Sequence, residues 1–254
     1  MTRFINICSS KGGVGKTTTA INLCSAFRLF NKDAVLVDCN LTAPNVGIYL
    51  GSPVVPVTLH HVLSGKNTIH EAVYVHKNMK VVFGGLFIND LYKARPEKLK
   101  HALLDLDGFA DIILLDSPPG LGREAVTAME LADEVLIVTN PELPAVTDAL
   151  KTARLAEHLR KHILGIVVTR SGRLDLSVRN IEQMIEHPVI AIIPDDPCVK
   201  MSVVNKLQLV DTYPRSDAAV AYKKLAAALI GRHYEEEREK NLLETFLSFF
   251  RFKK

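Results

Sequence analysis

The sequence has little of what would mark a metal-cluster, secreted or membrane-spanning protein. Its four cysteines, at 8, 24, 39 and 198, form no Cys-x-x-Cys pair, so they read as reduced, partly buried thiols and argue against a metal site. No window holds the roughly 18 apolar residues that a spanning helix needs. The first residues, Met-Thr-Arg-Phe, run directly into a β-rich apolar segment and form no signal peptide, which gives a cytoplasmic expectation. An excess of one charge is also missing. The 31 Lys and Arg stand against 28 Asp and Glu, a net +3, scattered through the body and bunched only near the C-terminus. Such a distribution argues against nucleic acid as a partner. No internal repeat or low-complexity linker precedes residue 231.

What is present suits one large domain. Of the 254 residues, 48% are hydrophobic, enough to bury a single sizeable core. Apolar runs rich in β-branched residues cover 4–9, 34–38, 80–83, 111–116, 134–139, 164–169 and 189–193, with helical stretches between them. Near-continuous apolar strands alternating with helices predict a doubly wound α/β fold, mostly parallel, with helices on both faces of the sheet. Residues 1–230 are expected to form this domain. A charged tether follows over 231–241, beginning Gly-Arg-His-Tyr-Glu-Glu-Glu, and then an amphipathic helix over 242–254.

The most informative stretch is Ser-Ser-Lys-Gly-Gly-Val-Gly-Lys-Thr-Thr, residues 9–18. It follows the first strand and opens a helix with apolar residues at Ala20, Leu23, Ala26 and Phe27. In a glycine-rich turn of this kind the N–H groups of Gly12, Gly13, Val14 and Gly15 can converge on phosphate oxygens, with the positive helix end behind them. Lys16 would reach the β and γ phosphates, and the hydroxyl of Thr17, next to Thr18, would hold Mg²⁺. The generic phosphate-loop pattern wants glycine where this chain has Ser10, so a strict pattern search misses it. The fourth apolar run ends in Leu-Leu-Asp-Ser-Pro-Pro-Gly, which puts Asp116 where a Walker B acid would hold the metal through water. The alternative is a strand-terminal aspartate that merely caps the next segment.

The spacing Lys-Gly-Gly-x-Gly-Lys-Thr-Thr resembles the deviant P-loop ATPases, the family that includes MinD, ParA and the nitrogenase iron protein. The resemblance implies that Lys11 crosses a dimer interface to the phosphates bound by the partner protomer, so that ATP acts as a dimerising ligand. It extends through Asp38, Asn45 and the pair Leu50-Gly51, and it implies that Asp38 lies by the metal. The MinD-like pattern here is Asp-x-Asp, whereas this chain reads Asp38-Cys39-Asn40. An amide can hold a water but cannot take its proton, and loss of such an acid slows turnover by about 10² to 10⁴. Because phosphoryl transfer leans mainly on positioning and electrostatics, the expectation is slow or partner-dependent ATP hydrolysis with Asn40 at the catalytic position.

Further matches follow along the chain. Pro118-Pro119-Gly120 resembles the family's second switch. Asp148 falls on the helix that protein partners touch in the family. Pro194 and Asp195 resemble the loop that borders the base. Thr169-Arg170 stands where the family has Asn-Arg, and a hydroxyl supplies only part of the adenine-reading pattern of an asparagine. The MinD branch fits best.

The end of the chain supplies a second signal. At 100° per residue, Leu242, Leu243, Phe246, Leu247, Phe249 and Phe250 fall on one arc, followed by Arg251, Lys253 and Lys254. This pattern suits a helix lying on an anionic membrane surface, the inner face of the cell membrane in this reading, and resembles the C-terminal targeting helix of MinD. The alternative is a helix packed on the domain's own core. Two functional alternatives also stand: a nucleotide-dependent membrane scaffold without useful turnover, and a ParA-like DNA-partitioning ATPase. The mild charge and the amphipathic tail argue against the second.

Overall fold

The computed structural model describes residues 1–172 and 176–235. Eight strands form one sheet: β1 (Arg3–Cys8), β2 (Ala34–Asp38), β3 (Val73–His76), β4 (Met79–Val82), β5 (Ile112–Asp116), β6 (Glu134–Thr139), β7 (His162–Ser171) and β8 (Val189–Pro194). Their order across the sheet is β3-β4-β2-β5-β1-β6-β7-β8, parallel throughout except at β3–β4. The central strands β2 and β5, Ala-Val-Leu-Val-Asp and Ile-Ile-Leu-Leu-Asp, are buried at every residue because both sheet faces are covered.

Alternate residues of each strand feed opposite cores. On one face Ile5, Ile7, Leu36 and Leu114 pack with Leu23 and Phe27 of the helix Lys16–Arg28 and with Tyr222 and Leu225 of the helix Asp217–Leu229. On the other, Phe4, Val35, Val37, Ile113 and Leu115 pack with Leu59 and Leu63 of a short helix and with Leu103. The helices Leu143–His158 and Val178–Ile185 complete the cover over β6 and β7.

The strand order also places the ligand edge. From β1 the chain crosses to β2 on one side, whereas β6 lies against the other side of β1, and β5 fills the gap between β1 and β2. The carboxyl ends of β1 and β5 therefore meet at the point where the winding reverses, which is where open α/β sheets bind ligands.

The seven expected apolar runs fall on β1, β2 and β4 to β8. The missed strand, β3, is an antiparallel edge joined to β4 by a two-residue turn. Lys77 and Asn78 there have φ of +47° and +63°, the left-handed pair of a tight hairpin. Lys-Asn is a weak form of the Asn-Gly hairpin signal, and the half-exposed Val-Tyr-Val-His lacks a continuous apolar run. At the other end, the tether expected over 231–241 is described only to Glu235. Its first residues lie on the body: Arg232 donates to the Phe30 carbonyl at 3.2 Å and the Tyr234 ring meets Phe30 edge-on. The amphipathic helix expected over 242–254 lies outside the described residues. Among those described, no helix is long and apolar enough to cross a membrane.

Candidate nucleotide site

The loop between β1 and the helix Lys16–Arg28 is shaped by its glycines. Gly13 and Gly15 take φ of +76° and +95°, a region that L side chains rarely enter, and Gly15 forms the N-cap without any side-chain bond. The helix's first N–H groups are thus left to be satisfied from outside the helix.

Behind the loop stand the strand-end acids. Asp38 and Asp116 are register partners on β2 and β5, and both are buried. Asp116 Oδ2 accepts the Thr17 hydroxyl at 2.7 Å. Burial pushes the Asp116 carboxyl up to about 6, against the pull of the Thr17 hydrogen bond and of Lys16. Asp38 is also pushed up, by burial and then by the neighbouring Asp116. It accepts the backbone N–H groups of Asn40 and Val46 at 3.2 and 3.0 Å. Asp116 Oδ1, by contrast, is buried with no hydrogen-bond partner among the described residues. An orphaned carboxylate oxygen beside a threonine hydroxyl and a second acid is an all-oxygen donor set, and it fits Mg²⁺.

The two lysines of the loop occupy different environments. Lys16 is buried, its ammonium donating to the Lys11 carbonyl at 3.1 Å. Desolvation lowers its pKa while Asp116 pulls it back up. Lys11 points outward and pairs with Glu142 at 3.0 Å, the two side chains 35% and 58% exposed. Ser10, at the position of the missing glycine, donates its backbone N–H to the Thr152 hydroxyl oxygen and its own hydroxyl to the Asp148 carbonyl. This ties the loop to the helix Leu143–His158. The Asp148 side chain itself is paired with Lys151 at 3.0 Å.

Two predicted site residues hydrogen-bond to backbone groups of the protein. Asn40 donates through Nδ2 to the Ala43 carbonyl at 2.6 Å and accepts the Ala43 N–H at 3.2 Å, closing its loop with both ends of the amide. Thr169 is buried and donates to the Val14 carbonyl at 2.6 Å, with Asn140 Oδ1 3.0 Å away. The reason lies in the strand: the β7–β8 register slips between Val168 and Ser171, and Arg170 takes φ of +53°. This bulge aims the Thr169 side chain at the phosphate loop. Thr169 therefore braces the loop through its hydroxyl and, with Gly15, Thr18, Tyr49, Arg170, Pro194 and Asp195, lines the adjoining cavity of about 420 Å³, large enough for a ligand's base and sugar. A larger groove of about 920 Å³ between β8 and the helix Asp217–Leu229 touches none of the loop residues.

The structure thus brings together Lys11, residues 12–18, Asp38, Asn40, Asp116, Thr169, Arg170, Pro194 and Asp195 at one sheet edge. It adds Glu142, Tyr49 and Asn140, to which the sequence assigns no site role; Asn140 and Glu142 fall in Val138-Thr-Asn-Pro-Glu142, a segment that resembles the one after the fifth strand in MinD. Glu142 lies 131 residues from the lysine it holds, so only the tertiary fold reveals the pair.

Comparison with known proteins agrees with this geometry. The family model described as "ParA: NUBPL iron-transfer P-loop NTPase" matches residues 1–230. An uncharacterized ATP-binding protein of Methanocaldococcus jannaschii is 36% identical over 249 residues, 97% of this chain and 94% of its own length. The crystal structure of the Pyrococcus furiosus cell division ATPase MinD superposes with a TM-score of 0.88 at 36% identity, covering 91% of this chain and 99% of that one. The septum site-determining protein MinD of Pyrococcus horikoshii, complexed with Mg-ADP, gives 0.87 at 35% identity, covering 90% and 96%. The chain belongs to the MinD/ParA family of P-loop ATPases.

Proposed function

We propose that this protein is an ATP-dependent dimerising switch that binds an anionic membrane surface through its C-terminal helix and positions a partner protein there, as in division-site or polar placement. The observation that carries this reading is the contrast between the two lysines of one loop. Lys16 is buried where it can neutralise phosphate charge inside its own protomer, whereas Lys11 stands at the edge, paired with a solvent-facing glutamate. In this reading the N–H groups of residues 12–15 hold the phosphates, and Lys16 moves from the Lys11 carbonyl to the β and γ oxygens. Thr17 and Asp116 would hold Mg²⁺, with Asp38 next to them. When bound, the ion neutralises charge on the β and γ phosphates. Lys11 exchanges Glu142 for the nucleotide of a second protomer. Two tails on one dimer then bind far better than one, because the second insertion is intramolecular and avidity rises about 10² to 10⁴-fold. Asp148, on the helix to which Ser10 is tied, is the contact we assign to the protein partner.

A second reading, a scaffold that binds ATP without useful turnover, draws on Asn40. Its amide bonds Ala43 through both Nδ2 and Oδ1 and carries no charge with which to activate water. One experiment tests both: ATP hydrolysis and pelleting with anionic liposomes, measured in the same tubes, for the full chain and for a chain ending at 241. The expected result is pelleting with ATP but not with ADP, lost on truncation, with slow turnover. Equal pelleting with ATP and ADP would refute the switch, and undetectable turnover would select the scaffold.

A further inference from the structure

The groove of about 920 Å³ lies away from the nucleotide loop, and the mechanism proposed above gives it no task. It runs between β8, an edge strand of the sheet, and the helix Asp217–Leu229. Ile190 and Ile192 from the strand and Val220, Ala221 and Ala228 from the helix supply its apolar wall, and Ile192 is 44% exposed. The last described residues, Arg232 to Glu235, line the same groove. The chain therefore stands in the groove at the point where the segment 236–254 begins.

Direction, length and charge all suit that segment. The helix Asp217–Leu229 runs from the carboxyl edge of the sheet to the amino edge. Near its start the Ala218 N–H donates at 3.1 Å to Asp196, just beyond β8, and at its end the Leu229 carbonyl accepts Arg3, the first residue of β1, at 2.7 Å. A segment that turns back along the groove from Glu235 thus travels toward Asp217. Residues 242–254 and the helix Asp217–Leu229 are both thirteen residues long, about 20 Å as helices. The residues between, 236–241, reach about 20 Å when extended, enough for the reversal. An amphipathic helix buries its apolar face, and the alanines of the wall leave room for a second helix to pack closely. Arg251, Lys253 and Lys254 then come to the end of the groove that carries the exposed Asp217 and, after β8, the exposed Asp195.

We infer that the groove between β8 and the helix Asp217–Leu229 holds the chain's own segment 242–254 while the protein is off the membrane, so that the membrane must draw out a covered tail. The inference rests on the reading that this segment binds the membrane, and it adds the control of that step. A short flexible tether presents its segment at an effective concentration of the order of 1 mM. A groove that binds the free segment with a dissociation constant of about 0.1 mM is then filled about tenfold over empty. Lipid binding by a single tail is weakened by the same factor, and one short helix has little lipid affinity to spare. A dimer with two tails offsets the loss through avidity.

The chain contains no tryptophan, so Phe250→Trp in the full-length protein places a single reporter on the apolar arc. It is compared with the same protein carrying Ile192→Ser and Ala228→Glu, at two exposed positions that line the groove and not the nucleotide cavity. Acrylamide quenching is measured in ADP without lipid, and pelleting with anionic liposomes in ADP and in ATP with Mg²⁺. ADP affinity within twofold of the wild type verifies the fold. The expected result is a shielded indole whose quenching rises at least threefold in the groove variant, with ADP-bound pelleting at about tenfold less lipid. Equal quenching in the two proteins overturns the inference, and the membrane reading stands if the reporter protein pellets with ATP. Release of the indole without a gain in ADP-bound pelleting refutes the control. Shielding that fades on dilution makes a second copy the occupant and overturns the assignment. If the reporter protein does not pellet with ATP, the membrane reading fails and the inference fails with it.

Discussion

Replacing Asn40 with aspartate restores the acid that the MinD-like pattern carries, and the structure gives the size of the penalty. Asn40 is buried, and its Nδ2 donates to the Ala43 carbonyl at 2.6 Å. Aspartate keeps the acceptor for the Ala43 N–H but has no donor, so the Ala43 carbonyl, on an exposed residue, loses its partner and faces a carboxylate. The loss is about 0.5–1.5 kcal/mol. In a chain of this size roughly 2–4 °C accompany each kcal/mol, so a central value of about 1 kcal/mol lowers Tm by about 2–4 °C. Two carboxylates already crowd this corner, since Asp38 accepts the Asn40 N–H at 3.2 Å and is paired in register with Asp116. Added Mg²⁺ and nucleotide should therefore recover part of the deficit by neutralising the cluster. Activity moves the other way: with a carboxylate to orient water, turnover should rise by about 10²-fold or more. The assays are scanning fluorimetry with and without Mg-nucleotide, and steady-state phosphate release. Asn40→Ala serves as the control that loses the loop closure without gaining an acid. If Asn40→Asp is as stable as the wild type, the loop-closing role is wrong. If it turns over no faster than Asn40→Ala, residue 40 does not position the attacking water.

Three further outcomes follow from the same geometry. Glu142→Gln removes the ion pair that holds Lys11 (3.0 Å) but, being exposed, should change stability by less than about 1 kcal/mol. It should lower the protein concentration at which ATP drives dimerisation, read by sedimentation. Thr169→Val leaves the buried Val14 carbonyl without its 2.6 Å donor and should destabilise by about 1–3 kcal/mol in chemical unfolding. The ratio of ATP to GTP affinity should stay within twofold, because the hydroxyl faces the loop and is not offered to the base. Burial holds the His60 imidazole below its usual pKa, although the Leu41 carbonyl and Asp90 oppose the shift. The unfolded chain is protonated first, so stability from His60 is complete above about pH 6.5 and is lost as pH falls below it. Thermal midpoints from pH 5 to 8 should show that slope, and His60→Gln should flatten it.

The sequence was most legible where the chemistry is local. The phosphate loop declares itself because a strand, a glycine-rich turn and a helix must follow one another within a few residues, and the structure keeps that order from Arg3 to Arg28. Asp116 was legible because an acid ending a fully buried strand needs a partner, and Thr17 is that partner at 2.7 Å. Thr169 was legible as a candidate beside the loop, but the direction of its hydroxyl depends on a bulge between β7 and β8, and a register slip leaves no trace in residue types. Strand β3 was missed because a short, half-exposed edge strand carries neither a continuous apolar run nor a strong turn signal.

By itself, the sequence determined the doubly wound class, the positions of the loop and its acids, and the replacement of an aspartate by Asn40. Those follow from hydrophobic period, glycine freedom and side-chain chemistry, all properties of neighbouring residues. The tertiary structure alone decided that Lys11 meets Glu142, that Asn40 closes on Ala43, and that His60 joins the Asn40 loop to the exposed residues 86–88. The long-range pairings among them depend on strand order, which brings together segments tens of residues apart. The direction of a polar side chain among several possible partners is fixed only by packing.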